Sequence, residues 1–214
     1  MGIRKNFRRA TLFGFPVMIE KIDKKSYDKK SIISTIEKNF KLNKKRTIRD
    51  EQNVLHHSLH PDFKEYQKVN FDTLIPIYKQ ILTSMFNTTK FAPTFNFTIV
   101  NYTCLSHAEY MKPHLHADSD FTAVHYIQFD KKQHSPTIYE NTLSCADYLM
   151  HLRPKLPKVL SSDDPANSWA YMDWSLDIGE DDFCLAPAYL KHRVDAQNSK
   201  GKNRLTIVLN ITIG

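Results

Sequence analysis

Histidine and aspartate alternate over one short stretch of this chain: His114, His116, Asp118 and Asp120 stand two residues apart within PHLHADSDFTAVHYI. Imidazole nitrogens and carboxylate oxygens are ligands for first-row transition metals. A spacing of two puts such groups on one side of an extended backbone. His116 with Asp118 offers an imidazole and a carboxylate converging on one ion. His114 with His116 offers two imidazoles, and His114, His116 and Asp120 together mimic the spacing of a cupin site. Each set needs a distant ligand to close it. The C-terminal third supplies a histidine, His192, in PAYLKHRV. Beyond it, Arg204 and Thr206 face the same way on a strong candidate strand. A planar guanidinium pairs a carboxylate through two hydrogen bonds, and the threonine hydroxyl can add a third. Two imidazoles and one carboxylate on one side of a metal, with the other positions open, is the facial arrangement of non-haem Fe(II) oxygenases.

Regular elements must bring these residues together. Read as one strand, 114–126 places His114, His116, Asp118, Asp120, Thr122, Val124 and Tyr126 on one face. Leu115, Ala117, Phe121, Ala123 and Ile127 then form the apolar face. A first strand is predicted over 11–22. Ile32, Ile33, Ile36 and Phe40 have helical spacing, as do Phe71, Leu74, Ile75, Tyr78, Leu82 and Met85, with Pro76 in the first turn of the second helix. A third short helix fits Ser144 to Arg153, stopped by Pro154. Strands are predicted over 94–102, 168–178, 182–187 and 204–213. Helices first and antiparallel strands after them predict a mainly β fold with flanking helices, a double-stranded β-helix (jelly roll, cupin-like). The expected organisation is a single domain, 1–214. About 1–90 would hold the N-terminal strand and supporting helices, and about 94–214 the β core.

The order His116-Ala-Asp118, then His192, then Arg204-Leu-Thr206 resembles the Fe(II)/2-oxoglutarate-dependent dioxygenase superfamily. The wider segments HLHADSDFTAVHYI and PAYLKHRV…RLTIVLN, with LFGFPV and VNFDTLIPIY, resemble its bacterial and phage branch of 2-oxoglutarate oxygenases. Thr122-Ala123 stands where that branch usually has Ser-Gly, and SPTIYEN stands where prolyl-hydroxylase-like members carry a Gly-Gly segment. The resemblance implies Fe(II) held by His116, Asp118 and His192, and 2-oxoglutarate anchored by Arg204 and Thr206. Asn101 and Tyr126 are further candidates to contact the co-substrate, together with Tyr102. It also implies that O2 is consumed as oxidative decarboxylation of 2-oxoglutarate is coupled to oxidation, typically hydroxylation, of a primary substrate. His114 is expected on the substrate side of the metal, and Asp120 in a turn or behind an imidazole.

Composition bounds the alternatives. Five glycines and no Gly-rich loop argue against phosphate-cradling nucleotide folds. No stretch has the roughly 20 apolar residues of a membrane helix, and the basic N-terminus lacks the apolar core of a secretory signal. Three cysteines without a CxxC pair point to reduced thiols and a cytoplasmic location. The net charge is +7. Arg4, Lys5, Arg8, Arg9, Lys44, Lys45 and Arg46 contribute to an early basic bias that would attract an acidic partner such as nucleic acid. No aromatic residues interleave with these charges as a base-stacking surface requires, so a solvated face is the plainer reading. HHSLHPDF, 56–63, reads as a loop, with a substrate-covering segment as its functional reading. Two other function classes fit the same residues. One is a cupin-type metalloenzyme using His114, His116, Asp120 and His192 without 2-oxoglutarate. The other is a non-enzymatic basic binding protein on a jelly-roll scaffold.

Overall fold

A computed structural model describes residues 8–12, 15–44, 56–88, 94–141 and 160–214. The helix expected over Ser144 to Arg153 lies outside them, as do Cys145 and the basic residues Arg4, Lys5, Lys45 and Arg46. Among the described residues, no helix is long and apolar enough to cross a membrane.

Among the described residues, ten strands build two antiparallel sheets. β1 (Arg8–Leu12) and β2 (Phe15–Lys21) pair as a hairpin, so the one strand expected over 11–22 is in fact two. α1 (Lys29–Lys44) and α2 (Ile75–Thr88) follow, and Pro76 sits in the first turn of α2, where a missing N–H costs nothing. The remaining strands are β3 (Phe95–Leu105), β4 (Met111–His114), β5 (Phe121–Gln128), β6 (Thr137–Glu140), β7 (Asp173–Ser175), β8 (Asp182–Pro187), β9 (His192–Val194) and β10 (Arg204–Ile213). The large sheet runs β1-β2-β8-β5-β10-β3 and the small one β4-β9-β6-β7. This is the jelly-roll, double-stranded β-helix class anticipated from the order of the elements. β8 and β10 occupy the predicted spans. Residues 168–178 do not form one strand: Asp164 caps a 3-10 helix, Pro165–Ala170, and β7 begins only at Asp173.

Strand alternation divides the core in two. Ala123, Ile127, Phe183, Leu185, Leu205, Ile207, Leu209 and Ile211 face the helices and pack with Ile36, Phe40, Tyr78 and Leu82. Val124, Tyr126, Cys184 and Ala186 face the small sheet and pack with Tyr139, Trp174 and Leu176. The space between the sheets is therefore filled by mostly apolar side chains along much of its length. It turns polar at the end where β4, β9 and the start of β10 meet.

Candidate metal centre

The stretch from His114 to Tyr126 is not one strand. β4 ends at His114, a turn spans 115–120, and β5 begins at Phe121. The break changes which side chains converge. β4 pairs with β9 so that His114 stands directly opposite His192, and such pairs share a face. Their ring centroids lie 4.5 Å apart. His116 sits in the turn, where its N–H donates to the Ala188 carbonyl at 3.0 Å. Its ring stacks 5.4 Å from His192 and lies 5.6 Å from His114. One ring nitrogen from each of His114, His116 and His192 falls within 4.8 Å of the others. Among the described residues this is the one cluster of metal-ligand type.

The hydrogen bonds fix the tautomers. Nδ1 of His114 meets the Lys112 carbonyl at 2.8 Å, and Nδ1 of His192 meets the Leu190 carbonyl at 2.8 Å. Nδ1 of His116 meets the Asn210 amide oxygen at 3.0 Å. Each acceptor holds the proton on Nδ1 and leaves the lone pair on Nε2, which is how outer partners prepare imidazoles for a metal. Burial reinforces the neutral form. It pushes His192 down to about 3, helped by the neighbouring His114, and lowers His116 in the same way. These three residues fit a transition-metal ion of the kind imidazole suits, which includes iron.

The other predicted residues divide. Asp118 is exposed in the turn beyond His116 and lies outside the cluster. The Asp120 carboxylate accepts from the Ile213 N–H at 2.8 Å, closing the turn onto β10 rather than orienting an imidazole. Arg204 and Thr206 both project inward from β10 and line one cavity with the three histidines, Asn101, Thr103 and Thr137. Tyr126 stands behind that wall, its ring 5.2 Å from the Arg204 guanidinium and its hydroxyl bonded to Thr137 at 2.6 Å. Asn101 reaches the cavity because Val100 is an extra residue in β3: Asn101 pairs with Val208 while Ile99 pairs with Leu209. The bulge turns Asn101 and Thr103 inward and sends Tyr102 to the helix side, where it packs on Phe40 and bonds Glu65.

The electrostatics of the cavity are one-sided. Arg204 is 1% exposed. Its guanidinium reaches two neutral partners, the Thr137 hydroxyl at 3.4 Å and Tyr126, and among the described residues its Nε has no partner. Burial lowers its pKa, yet a guanidinium stays charged. No acidic side chain among the described residues lines the cavity, so a metal dication there would add to an already uncompensated positive charge. The space is tight, about 30 Å³ open to the centre of a water-sized sphere, enough for roughly one or two waters. Larger grooves of about 800 and 430 Å³ lie elsewhere and touch none of the three histidines. Sequence reasoning missed Thr137, which rests on β6, a four-residue strand too short to show periodicity.

No family model matches the chain, and no curated protein matches it. Its fold is similar to that of solved structures. AviO1 from Streptomyces viridochromogenes Tue57 superposes with a TM-score of 0.51 at 10% identity, over 97% of this chain and 90% of that one. The viral collagen prolyl hydroxylase of Paramecium Bursaria Chlorella virus-1, in its 2OG complex, gives 0.48 at 12% identity, over 90% and 94%. An oxidoreductase of the 2OG-Fe(II) oxygenase family from Burkholderia pseudomallei gives 0.42 at 11% identity. That match covers 68% of this chain and 61% of the Burkholderia protein, less than two thirds of its length.

Proposed function

We propose that this chain is an Fe(II)- and 2-oxoglutarate-dependent dioxygenase that oxidises, in the simplest case hydroxylates, a primary substrate, and that it works in the cytoplasm. The observation that carries the reading is the cavity itself: three imidazoles with free Nε2 lone pairs, one buried arginine whose partners are neutral, and no acidic lining residue among the described residues. A buried charge without a partner costs several kcal/mol, so the cavity calls for an anion, and a dicarboxylate that also binds the metal answers both charges. When bound, the metal, 2-oxoglutarate and O2 would together supply oxidative decarboxylation to succinate and CO2, coupled to substrate oxidation.

The residues divide the remaining work. His116 and His192 hold the metal, with His114 as the third ligand in place of the expected Asp118. Asn210 and the Leu190 and Lys112 carbonyls aim the rings. Arg204 binds the distal carboxylate through its planar fork. Thr206 adds a hydroxyl already linked to Thr103 at 2.6 Å, and the Asn101 amide offers a further polar contact. Tyr126 holds the guanidinium plane in place. Met111, unbranched and adaptable, is the lining side chain best suited to turn aside as the co-substrate enters. A cupin-type enzyme without 2-oxoglutarate would use the same histidines but would leave Arg204 with nothing to bind.

Anaerobic titration of Fe(II) with 2-oxoglutarate tests this, read by the weak visible charge-transfer band of the chelate. The wild type should show the band. His116→Ala should lose it, and Arg204→Ala should need at least about 100-fold more 2-oxoglutarate, the cost of a lost buried bidentate pair. His114→Ala should weaken iron binding, whereas Asp118→Ala should not. No band from folded protein at saturating iron and 2-oxoglutarate would refute the proposal. Loss of iron in Asp118→Ala would restore the His-x-Asp ligand set.

A further inference from the structure

The stretch from His56 to His60 borders the metal centre without belonging to it. Its backbone extends the large sheet beyond β3. The Ser58 N–H donates to the Tyr102 carbonyl at 3.0 Å, the Cys104 N–H donates to the His56 carbonyl at 2.9 Å, and His57 pairs antiparallel with Thr103. Residues paired directly across an antiparallel ladder project to the same face. Thr103 projects into the metal cavity and bonds Thr206 there, and Thr206 is its partner across β10. His57 therefore continues an inward-facing row, Thr206 to Thr103 to His57, over three neighbouring segments.

The His57 ring also lies within electrostatic reach of His114. The pKa of His57 is lowered by burial, by His60 and by His114, a candidate metal ligand. The rings of His56 and His60 flank it at 5.2 and 5.9 Å, and the His60 ring is itself tied down by the Asp62 N–H at 3.1 Å. His57 is half-buried. No group among the described residues hydrogen-bonds its ring, and it lies outside the ligand cluster. The metal ligands come from the small sheet and the 115–120 turn, so the wall across from them is the large sheet and its extension.

We infer that His57 is a fourth histidine of the site, not a metal ligand but a hydrogen-bonding group that meets the molecule held at the metal's open face along the β3 edge. This rests on His114, His116 and His192 holding the metal. It identifies His57 as a contact for a polar group of the primary substrate.

Cobalt(II), whose visible bands report coordination, and azide, a small anion that accepts a hydrogen bond, are the probes. Wild type, His57→Phe (ring volume without N–H) and His57→Gln (an amide donor) are each titrated with Co2+ and then with azide. All three should bind Co2+ within about twofold of one another. His57→Phe should weaken azide binding about fivefold or more, the worth of one hydrogen bond, and His57→Gln should recover most of it. Unchanged azide affinity in His57→Phe, with Co2+ in place, overturns the inference. So does an equal loss of azide affinity in both variants, which would mark a packing role. Failure of the wild type to bind Co2+ would instead sink the metal assignment beneath it.

Discussion

Asn210 does for His116 what backbone carbonyls do for the other two imidazoles, and it does so from the opposite sheet. Replacing it with leucine should leave the fold intact and weaken Co2+ or Fe(II) binding roughly 10- to 100-fold, the usual cost of losing a partner behind a metal-bound histidine. Isothermal titration of Asn210→Leu beside Asn210→Asp, which keeps an acceptor, checks this. An unchanged affinity in the leucine variant would mean that the Nδ1 bond does not set the tautomer. Two histidines also tie stability to pH in the metal-free protein. Burial holds both His125 and His192 down to about 3 when folded, against about 6.5 in an unfolded chain. Between those values the unfolded chain binds protons that the folded one does not, so stability is whole above about pH 6.5 and falls as pH drops toward 3. Each histidine contributes a slope of up to about 1.4 kcal/mol per pH unit. Urea midpoints at pH 7.5, 5.5 and 4.5 in the presence of a chelator should fall steadily, whereas a flat profile would mean that both rings protonate freely when folded. At this scale much of the site was legible. His116, His192, Arg204 and Thr206, which residue type and spacing singled out, line one cavity. Asp118 stands apart from them because an i, i+2 pair shares a face only while the backbone stays extended, and the chain turns between His114 and Phe121.

Short elements and one bulge account for what the strand patterns did not reveal. β8 and β10 are buried on both faces and read as apolar runs, so their limits were plain. β4, β6 and β9 hold three or four residues each, at most two full periods of alternation, and their pairing is set by distant partners. The Val100 bulge defeats alternation outright. Phe95, Phe97 and Ile99 face the helices, and a regular strand would have sent Asn101 with them. The helix side carries its own device for holding the edge of the site. Asn39 and Asn43, one turn apart on α1, each clasp the backbone of the segment that follows the histidine stretch. The Asn39 amide bonds both the Gln67 carbonyl and the Gln67 N–H, at 2.7 and 2.9 Å. The Asn43 amide bonds both the Lys64 carbonyl and the Lys64 N–H, at 2.8 and 2.9 Å. Asn39→Ala should therefore cost about 1–3 kcal/mol, because it strands a backbone donor and acceptor at once, and should raise amide exchange over 58–67. Chemical denaturation and hydrogen exchange measure both. A loss of stability with exchange unchanged there would show that the clasp is global rather than local.

Charge and topology act together over the whole molecule. The three imidazoles join β4, β9 and the turn leading to β5, Arg204 reaches the same cavity from β10 and Asn210, also on β10, bonds His116, so a bound metal and its anion would bridge both sheets. A ligand that binds only the folded state stabilises it by RT ln(1 + [L]/Kd), which makes thermal stability a readout of that bridge. Metal alone adds a dication to a cavity that already holds Arg204 without an acidic partner among the described residues, whereas a dicarboxylate bound with the metal offsets two of those three positive charges. The two should consequently bind with positive coupling. In the wild type, Co2+ should raise Tm modestly, 2-oxoglutarate alone should do little, and the pair should raise it by more than the sum. Arg204→Met removes the buried charge at nearly constant volume. It should leave the apo protein as stable as the wild type or more so, because a buried cation without a partner is a cost. It should keep the rise from Co2+ and abolish the extra rise from 2-oxoglutarate. Differential scanning calorimetry of both proteins in all four ligand states separates these effects. If Arg204→Met retained the coupled rise, the dicarboxylate would have its anchor elsewhere. If the wild type showed no coupling, the buried arginine would be answering to some other anion.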